Sequence, residues 1–473
     1  MSDQVPVIWW VRRDLRLGDN AALAGAIASG RPVVPLFIHD ETVEALGAAA
    51  KWRLGEGVAC FGQALSARGS RLILRRGPAL DVLRAVIAGT GAAAVVWSRA
   101  YDPASVARDK AVKAALAEDG VEARSCAGHL LFEPWTVETG QGGFYKVYTP
   151  YWKAVRDRAV PEPAPAPGLI PRPDTWPASD EIGTWRMGAA LRRGAAVLAR
   201  FAPVGEAAAQ DRLDEFATRK IADYADRRDM PAADATSGLS AHLTCGEISA
   251  RACWHAGLNA MDAGKAGAET FLKELVWREF GWHLMWHSPH IAERNWREGW
   301  DGFPWSTEGD SPEATAWKRG RTGIPFVDAA MREMYVTGTM HNRARMIAAS
   351  WLTKNLMTHW RVGMDWFAEH LIDWDPASNA MGWQWVAGSG PDAAPYFRIF
   401  NPVTQAEKFD PDGAYRDAWI AEGRQSPAPR ALAYFDAVPR AWGLSPGDAY
   451  PAPAVTPEAG RRRALAAYEA RGG

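Results

Sequence analysis

Apolar runs at residues 7–11, 33–38, 72–74, 94–97 and 121–123 alternate with segments at 21–29, 51–68, 79–90 and 105–119 in which apolar residues return every three or four positions. Short uninterrupted runs suit strands buried on both faces, and the spaced pattern suits helices with one buried stripe. Strands alternating with helices of this length predict a doubly wound parallel α/β domain over residues 1–130. In such a sheet a ligand lies beyond the carboxyl ends of the strands, near Arg12, Arg13 and Asp14 or near Tyr101 and Asp102. The first strand-to-helix turn, VRRDLRLGDN, lacks a glycine fingerprint. The two GxGxxA matches are misplaced, since Gly89-Thr90-Gly91 precedes a strand and Gly388-Ser389-Gly390 runs into Pro391. A dinucleotide held in the familiar way is therefore not expected in this half.

The pattern then changes. Residues 161–177 read PEPAPAPGLIPRPDTWP, too rich in proline for a helix or a central strand, and predict an extended connector within a linking region at 131–200. From 188 to 400 the periodicity is helical with few convincing strands, so 201–473 reads as an all-helical domain. Thr244 with Glu247 fits a capping box opening a helix through residue 258. Beyond Gly423 the chain is rich in Pro, Ala and Arg, with a short basic amphipathic stretch at 461–468.

The length of 473 residues allows each half its own core. A formal net charge of −1 gives no general attraction to nucleic acid, so any such contact needs a local basic patch. Cys60, Cys126, Cys245 and Cys253 follow no redox spacing, which argues for a reducing compartment. No signal-peptide pattern or membrane-length apolar run is present, and a soluble, cytoplasmic protein is expected. His242, Cys245, Cys253 and His255 fit no common zinc spacing, nor do His283 and His287, so no metal is expected. Neither GxSxG nor a Walker A motif occurs. Of the 24 tryptophans most lie at or beyond Trp254, as a helical core, a surface for bases or a relay for electrons.

Three stretches carry candidate chemistry. Residues 339–385 place Asn342, Arg345 and Met346 on one helix face and cluster Asp373, Asp375 and Asn379 around the helix boundary set by Pro376. Thr236-Ser237-Gly238-Leu239-Ser240 offers hydroxyls and free backbone donors at a helix start, which suits a pyrophosphate but also an ordinary loop. On FLKELVWREF, Glu274, Trp277 and Arg278 share a face that could hold a base and a phosphate or be a salt-bridged exposed surface.

These motifs, with MHNRARM, LIDWDPASN and GWQW in order, RRDLRLGDN at 12–20, PDAAPYFR at 391–398 and Asn401-Pro402, resemble the DNA photolyase and cryptochrome family of flavoproteins, most closely a class I-type cyclobutane pyrimidine dimer photolyase. The resemblance implies an N-terminal α/β domain joined by a long connector to a helical FAD-binding domain. It implies that Tyr224 and Thr236 to Ser240, that is Thr236, Ser237, Gly238, Leu239 and Ser240, grip the FAD phosphates. Phe271, where the family often has Trp, would stack near the flavin; Arg278 and Asn342 would border it. Arg345 would pair with Asp373, Trp374 and Asp375 would lie close by, and Asn379 would face flavin N5. Trp383, Trp360 and Trp305 would carry electrons inward from the surface.

The implied reaction is light-driven repair of cyclobutane pyrimidine dimers, with one electron passing from excited reduced FAD to a flipped-out lesion. Glu274 would hydrogen-bond the dimer, with Trp277 and Trp385 packing against its bases. Asn342 and Met346 stand where enzymes for six-four photoproducts place histidine, and so resemble the cyclobutane type. Damaged DNA would be contacted by Arg228, Glu274, Trp277, Arg278, Asn342, Arg343 and Gln405. Lys51, Arg53 and Asp102 are candidates for a second, antenna chromophore of folate or deazaflavin type, whose presence stays open. With only Cys245 and Cys253 in the helical half, an iron-sulfur cluster is not expected. A monomer is expected. The alternative readings are a cryptochrome-like blue-light photoreceptor and, from another class, a helical single-strand binder without a pigment.

Overall fold

The computed structural model describes residues 5–393 and 397–471. Of the 391–398 motif, Ala394, Pro395 and Tyr396 lie outside the described residues. Strands β1 (Val7–Val11), β2 (Val33–His39), β3 (Ile73–Arg76), β4 (Ala94–Ser98) and β5 (Glu122–Cys126) form one parallel sheet in the order β3-β2-β1-β4-β5. Helices α1 (Ala21–Ala28), α2 (Ala48–Ser66), α3 (Ala79–Thr90) and α4 (Pro103–Glu118) connect them. All residues of β1, β2 and β4 are buried, as their unbroken apolar runs require, whereas the edge strand β5 is half exposed and extends past the expected 121–123.

The proline-rich connector has no regular element across 161–177 and is held to the α/β domain by its own backbone. Asp19 N–H donates to the Ala164 carbonyl and Val33 N–H to that of Pro171, each at 2.7 Å. The linking region also contains helix α5 (Tyr148–Val155), which leaves the sheet and packs on the helical half.

The helical half is built on α6 (Ser240–Cys245), α7 (Ala250–Asp262), α8 (Ala268–His287), α9 (Pro325–Thr337), α10 (Asn342–Ser350), α11 (Trp360–His370), α12 (Pro376–Ala387) and α13 (Pro457–Arg471). Its core holds fully buried indoles such as Trp254, Trp317, Trp351 and Trp360, so packing accounts for much of the tryptophan excess. The basic stretch at 461–468 lies on α13, which docks rather than dangling, with Tyr468 stacked on Phe397 at 4.4 Å.

The expected capping box does not form. Thr244 lies inside α6, which Gly246 ends in the left-handed conformation at φ +68, and α7 starts later with Ser249 accepting from Ala252 N–H. Glycine is required there, because a Cβ would sit 2.0 Å from the Arg13 carbonyl. Glu247 instead joins the two halves. Both of its oxygens accept from Arg53 on α2, at 2.8 and 2.6 Å, and His242 lies 2.5 Å away. Burial pushes the Glu247 carboxyl up, and the bonds from His242 and Arg53 bring it below its ordinary value. Arg53 and Glu247 are wholly buried, so Arg53 is closed to an antenna pigment.

Candidate functional site

A cavity of about 210 Å³ opens where α6, α8, α10 and the start of α12 converge. Its floor comes from the 236–240 loop and α6, through Ser237, Leu239, Ser240 and Thr244. Gly238 shapes that loop at φ +62, and a Cβ would meet the Arg212 guanidinium at 2.2 Å. Thr236 precedes the cavity and does not line it.

Opposite the loop stands Asp373. One of its oxygens accepts from Ser240 Oγ and from Arg345 Nη2, each at 2.7 Å. Its other oxygen is buried without a partner among the described residues. A buried ionised oxygen is costly unless hydrogen-bonded, so Asp373 depends on the two donors that its first oxygen holds. Arg345 is itself aimed by a 2.7 Å bond from Nε to the Met340 carbonyl. Asp375 also lines the cavity and caps α12 by accepting from Ser378 N–H at 2.7 Å.

The third wall is α8, where Phe271, Glu274, Leu275 and Arg278 face the cavity and Tyr224 joins them. Burial, then the charge of Glu274, pushes the Tyr224 phenol up to about 12, so it stays protonated as a donor. Phe271 is held between the rings of Phe216 and Tyr224. Glu274 is ion-paired with Arg228. Arg278 donates to His129 and to Glu279, so it is oriented by the end of the α/β domain and by its own helix.

Other expected residues take separate places. Asn379 does not line the cavity, which stops at Ser378, and its amide donates to the Met364 carbonyl at 3.1 Å. Trp374 turns to the α/β half, under the Arg13 guanidinium at 5.8 Å. Asn342 is exposed one turn from Met346, with its amide 4.0 Å from the sulfur. Arg343 pairs with Asp229 at 2.7 Å, and Gln405 is half-buried on its own helix. Lys51 pairs with Glu44, and Asp102 caps α4.

The three tryptophans are buried, with Trp360 at 0%, Trp383 at 3% and Trp305 the most exposed at 8%. Trp383 packs on Gly363, one turn along α11 from Trp360; a Cβ there would lie 2.0 Å from the indole. Between Trp360 and Trp305 stands His359, its ring 5.2 Å from the former and 5.5 Å from the latter. His359 was not legible as a site residue, because one histidine before a helix reads as a cap, which it also is. Glu279, His129 and Tyr148 were likewise missed, since their contacts cross between halves.

A larger cavity of about 410 Å³, near Arg416 and Tyr450, is lined by charges that neutralise one another, Arg424 with Asp417 and Glu422 with Arg321. The smaller cavity is thus the one with unmet polar demand.

Residues 7–168 match the DNA photolyase family, and residues 271–470 match the FAD binding domain of DNA photolyase. A deoxyribodipyrimidine photo-lyase from Agrobacterium fabrum is 45% identical and covers 98% of each chain. The chain belongs to the DNA photolyase family. The crystal structure of a bacterial class III photolyase from Agrobacterium tumefaciens superposes with a TM-score of 0.91 at 43% identity, covering 100% of this chain and 98% of that one. An archaeal photolyase from Sulfolobus tokodaii, solved with two FAD molecules, gives a TM-score of 0.79 at 28% identity, covering 98% of this chain and 100% of that one. The match to the FAD binding domain includes the α8, α10 and α12 residues that line the cavity, and the α/β plus helical architecture is the family fold.

Proposed function

We propose that this photolyase repairs cyclobutane pyrimidine dimers in DNA with light, and that the cavity spanning Ser240, Asp373 and Glu274 carries the reaction. The supporting observation is that Ser237 and Ser240, Asp373 with Arg345, and Glu274 with Phe271 line one cavity. Reduced FAD, when bound, supplies the electron that light drives into the dimer. The chain's residues supply the rest. Ser237, Ser240 and the α6 backbone donors suit the phosphates, and Asp373 takes a donor from the ribityl or ring portion. Phe271 gives an apolar face, and Arg278 and Arg345 border the pocket. Asn379, one residue beyond the cavity, and Trp374 are peripheral in this reading.

Glu274 receives the dimer by hydrogen bonding once Arg228 has moved to backbone phosphate, a role its basic side chain suits. Trp277 and Trp385 stack on the two bases, and Asn342 with Met346 forms the amide and thioether edge expected for a cyclobutane lesion. Arg343 and Gln405 contact the flanking strand. Trp305, His359, Trp360 and Trp383 form the path along which the pigment is reduced from solution.

The subclass is read as class III instead of class I, on the likeness to the Agrobacterium tumefaciens structure. For an antenna, the Sulfolobus tokodaii photolyase, with its two FAD molecules, implicates a novel light-harvesting cofactor, and of the sequence candidates only Lys51 and Asp102 retain exposure to serve one. The protein acts as a cytoplasmic monomer on damaged DNA, without a metal. Among the described residues no helix is long and apolar enough to cross a membrane.

The test is illumination of the reduced holoprotein with a dimer-bearing oligonucleotide. Restored pyrimidines in light and none in darkness are expected. FAD binding without repair would identify a photoreceptor, and failure to take up FAD would remove the reading altogether.

A further inference from the structure

The aromatic pair Trp277 and Tyr148 joins α8 to the linking region. The phenol of Tyr148, first residue of α5, lies flat on the Trp277 indole with centroids 3.7 Å apart and planes 6° apart. Its hydroxyl donates to the Lys273 carbonyl at 2.7 Å, one turn before Trp277 on the same helix. Ring and hydroxyl therefore grip a single turn of α8. Phe280 backs both rings edge-on, at 5.9 Å from Tyr148 and 5.8 Å from Trp277. Tyr148 is buried and Trp277 half-buried, so one indole face is closed and the other is free to stack.

The same turn of α5 reaches the opposite wall. Trp385 Nε1 donates to the Asp392 carbonyl at 3.0 Å. Burial pushes the Asp392 carboxyl up, and the nearby Tyr148 backbone counters it. One residue thus stacks on one aromatic wall and lies near the segment that accepts from the other.

We infer that Tyr148 is a positioning residue for lesion recognition, fixing the Trp277 indole so that only its open face receives an extruded pyrimidine. This rests on the reading of Trp277 as a wall of the lesion pocket. A stacked indole is already ordered before the base arrives, so less rotamer freedom is lost on binding. Tyr148 does not touch the reacting bond, so the effect falls on binding and not on cleavage.

The experiment compares FAD-loaded wild type, Tyr148→Phe and Tyr148→Leu by dark binding to a short duplex carrying one cyclobutane thymine dimer and to its undamaged counterpart. Tyr148→Leu is expected to weaken dimer binding about tenfold, the scale of one base–aromatic stack, with undamaged binding within about twofold. Tyr148→Phe keeps the stack and should stay within about threefold of wild type for the dimer. At saturating duplex, repair per absorbed photon should be equal in all three. Dimer binding unchanged in Tyr148→Leu overturns the inference; tighter binding does so too, by marking the phenol as a placeholder that the base displaces. Equal loss on both duplexes, with lowered FAD content, shows a merely structural role and also overturns it. Wild type that cannot tell the duplexes apart removes the lesion-pocket reading itself, and the inference with it.

Discussion

The carboxyl end of the sheet and the helical cavity are made of the same residue types, yet Asp14, Asp40 and Asp109 of the first are engaged on both oxygens and Asp373 of the second on one. Beyond β1 and β4, Arg12 donates to both oxygens of Asp109 at 2.9 Å, and Trp97 Nε1 adds a third bond at 2.9 Å. Arg108 closes on Asp40 at 2.7 Å, and Asp14 accepts from Ser98 at 2.7 Å. In the helical half Asp373 has two donors on one oxygen and none on the other. Strand order alone would send a ligand to the sheet crevice. Counting the partners of carboxylates sends it to the helices, while His39, at the end of β2, and Trp10 each keep a ring nitrogen without a partner among the described residues of the α/β half.

The largest expected effect tests whether the two regions are independent. Arg53→Ala leaves the buried Glu247 carboxylate without its bidentate partner, a loss of about 3–5 kcal/mol for a buried pair broken on one side. Denaturant melting should show that loss, with FAD content falling only in step with the folded fraction. FAD loss from fully folded protein would mean that the cavity depends on the α/β half, and the contrast would fail.

Next comes Asp373→Ala, which removes the unmet acceptor and releases Arg345 and Ser240. FAD affinity should drop about a hundredfold, or about 3 kcal/mol, as for a buried charged hydrogen-bonding group. Flavin absorbance against protein concentration reads the result, and a fully yellow variant would show that the orphaned oxygen does not mark the site.

How far the two regions were legible differs for the same physical reason. Buried parallel strands need unbroken apolar runs, so β1 and β4 stand where the pattern put them, and proline marked the connector. Helix boundaries near Thr244 were misread because a local motif cannot reveal that Gly246 must let the Arg13 backbone pass. Asp373, Asp375, Ser240 and Glu274 came from ordered motifs and line the cavity together. Asn379 and Trp374 came from the same motif, but their orientation follows from the Met364 carbonyl and from the face of the α/β half. Tyr148 and Glu279 were invisible, since their roles exist only once the linking region folds back on α8.

Glu279 gives the third prediction. It is buried on α8, accepts from the N–H groups of Leu131 and Phe132, and pairs with Arg278. Burial outweighs these partners and pushes its carboxyl up to about 7. In the unfolded chain the group ionises near pH 4.5, so between about pH 4.5 and 7 the folded state holds the extra proton. The Glu279 contribution to stability therefore falls as pH rises through that window, by roughly 3 kcal/mol, and is flat above it. The difference in stability between wild type and Glu279→Gln should carry that slope in melts taken from pH 4.5 to 8, because Glu333, also pushed up to about 7, and the buried histidines titrate alike in both. A wild-type minus variant difference that stays flat across the window would show that the connector is held by a fully ionised Glu279.

The smallest effect belongs to the closed crevice. Asp14 is buried; one oxygen accepts from Arg12 N–H at 2.8 Å and the other from Ser98 Oγ and, at 3.2 Å, from Asn20. Asp14→Asn keeps one acceptor and turns an amide N–H₂ toward a donor. The cost is about 1–2 kcal/mol, the penalty of one buried group without a partner, because Ser98 can rotate its hydroxyl to accept in turn. FAD content and dimer repair should be unchanged, since no part of this network reaches the helical cavity. A loss of repair beyond the loss of folded protein would mean that the crevice carries part of the function. It would then have to be treated as a second site rather than a filled one.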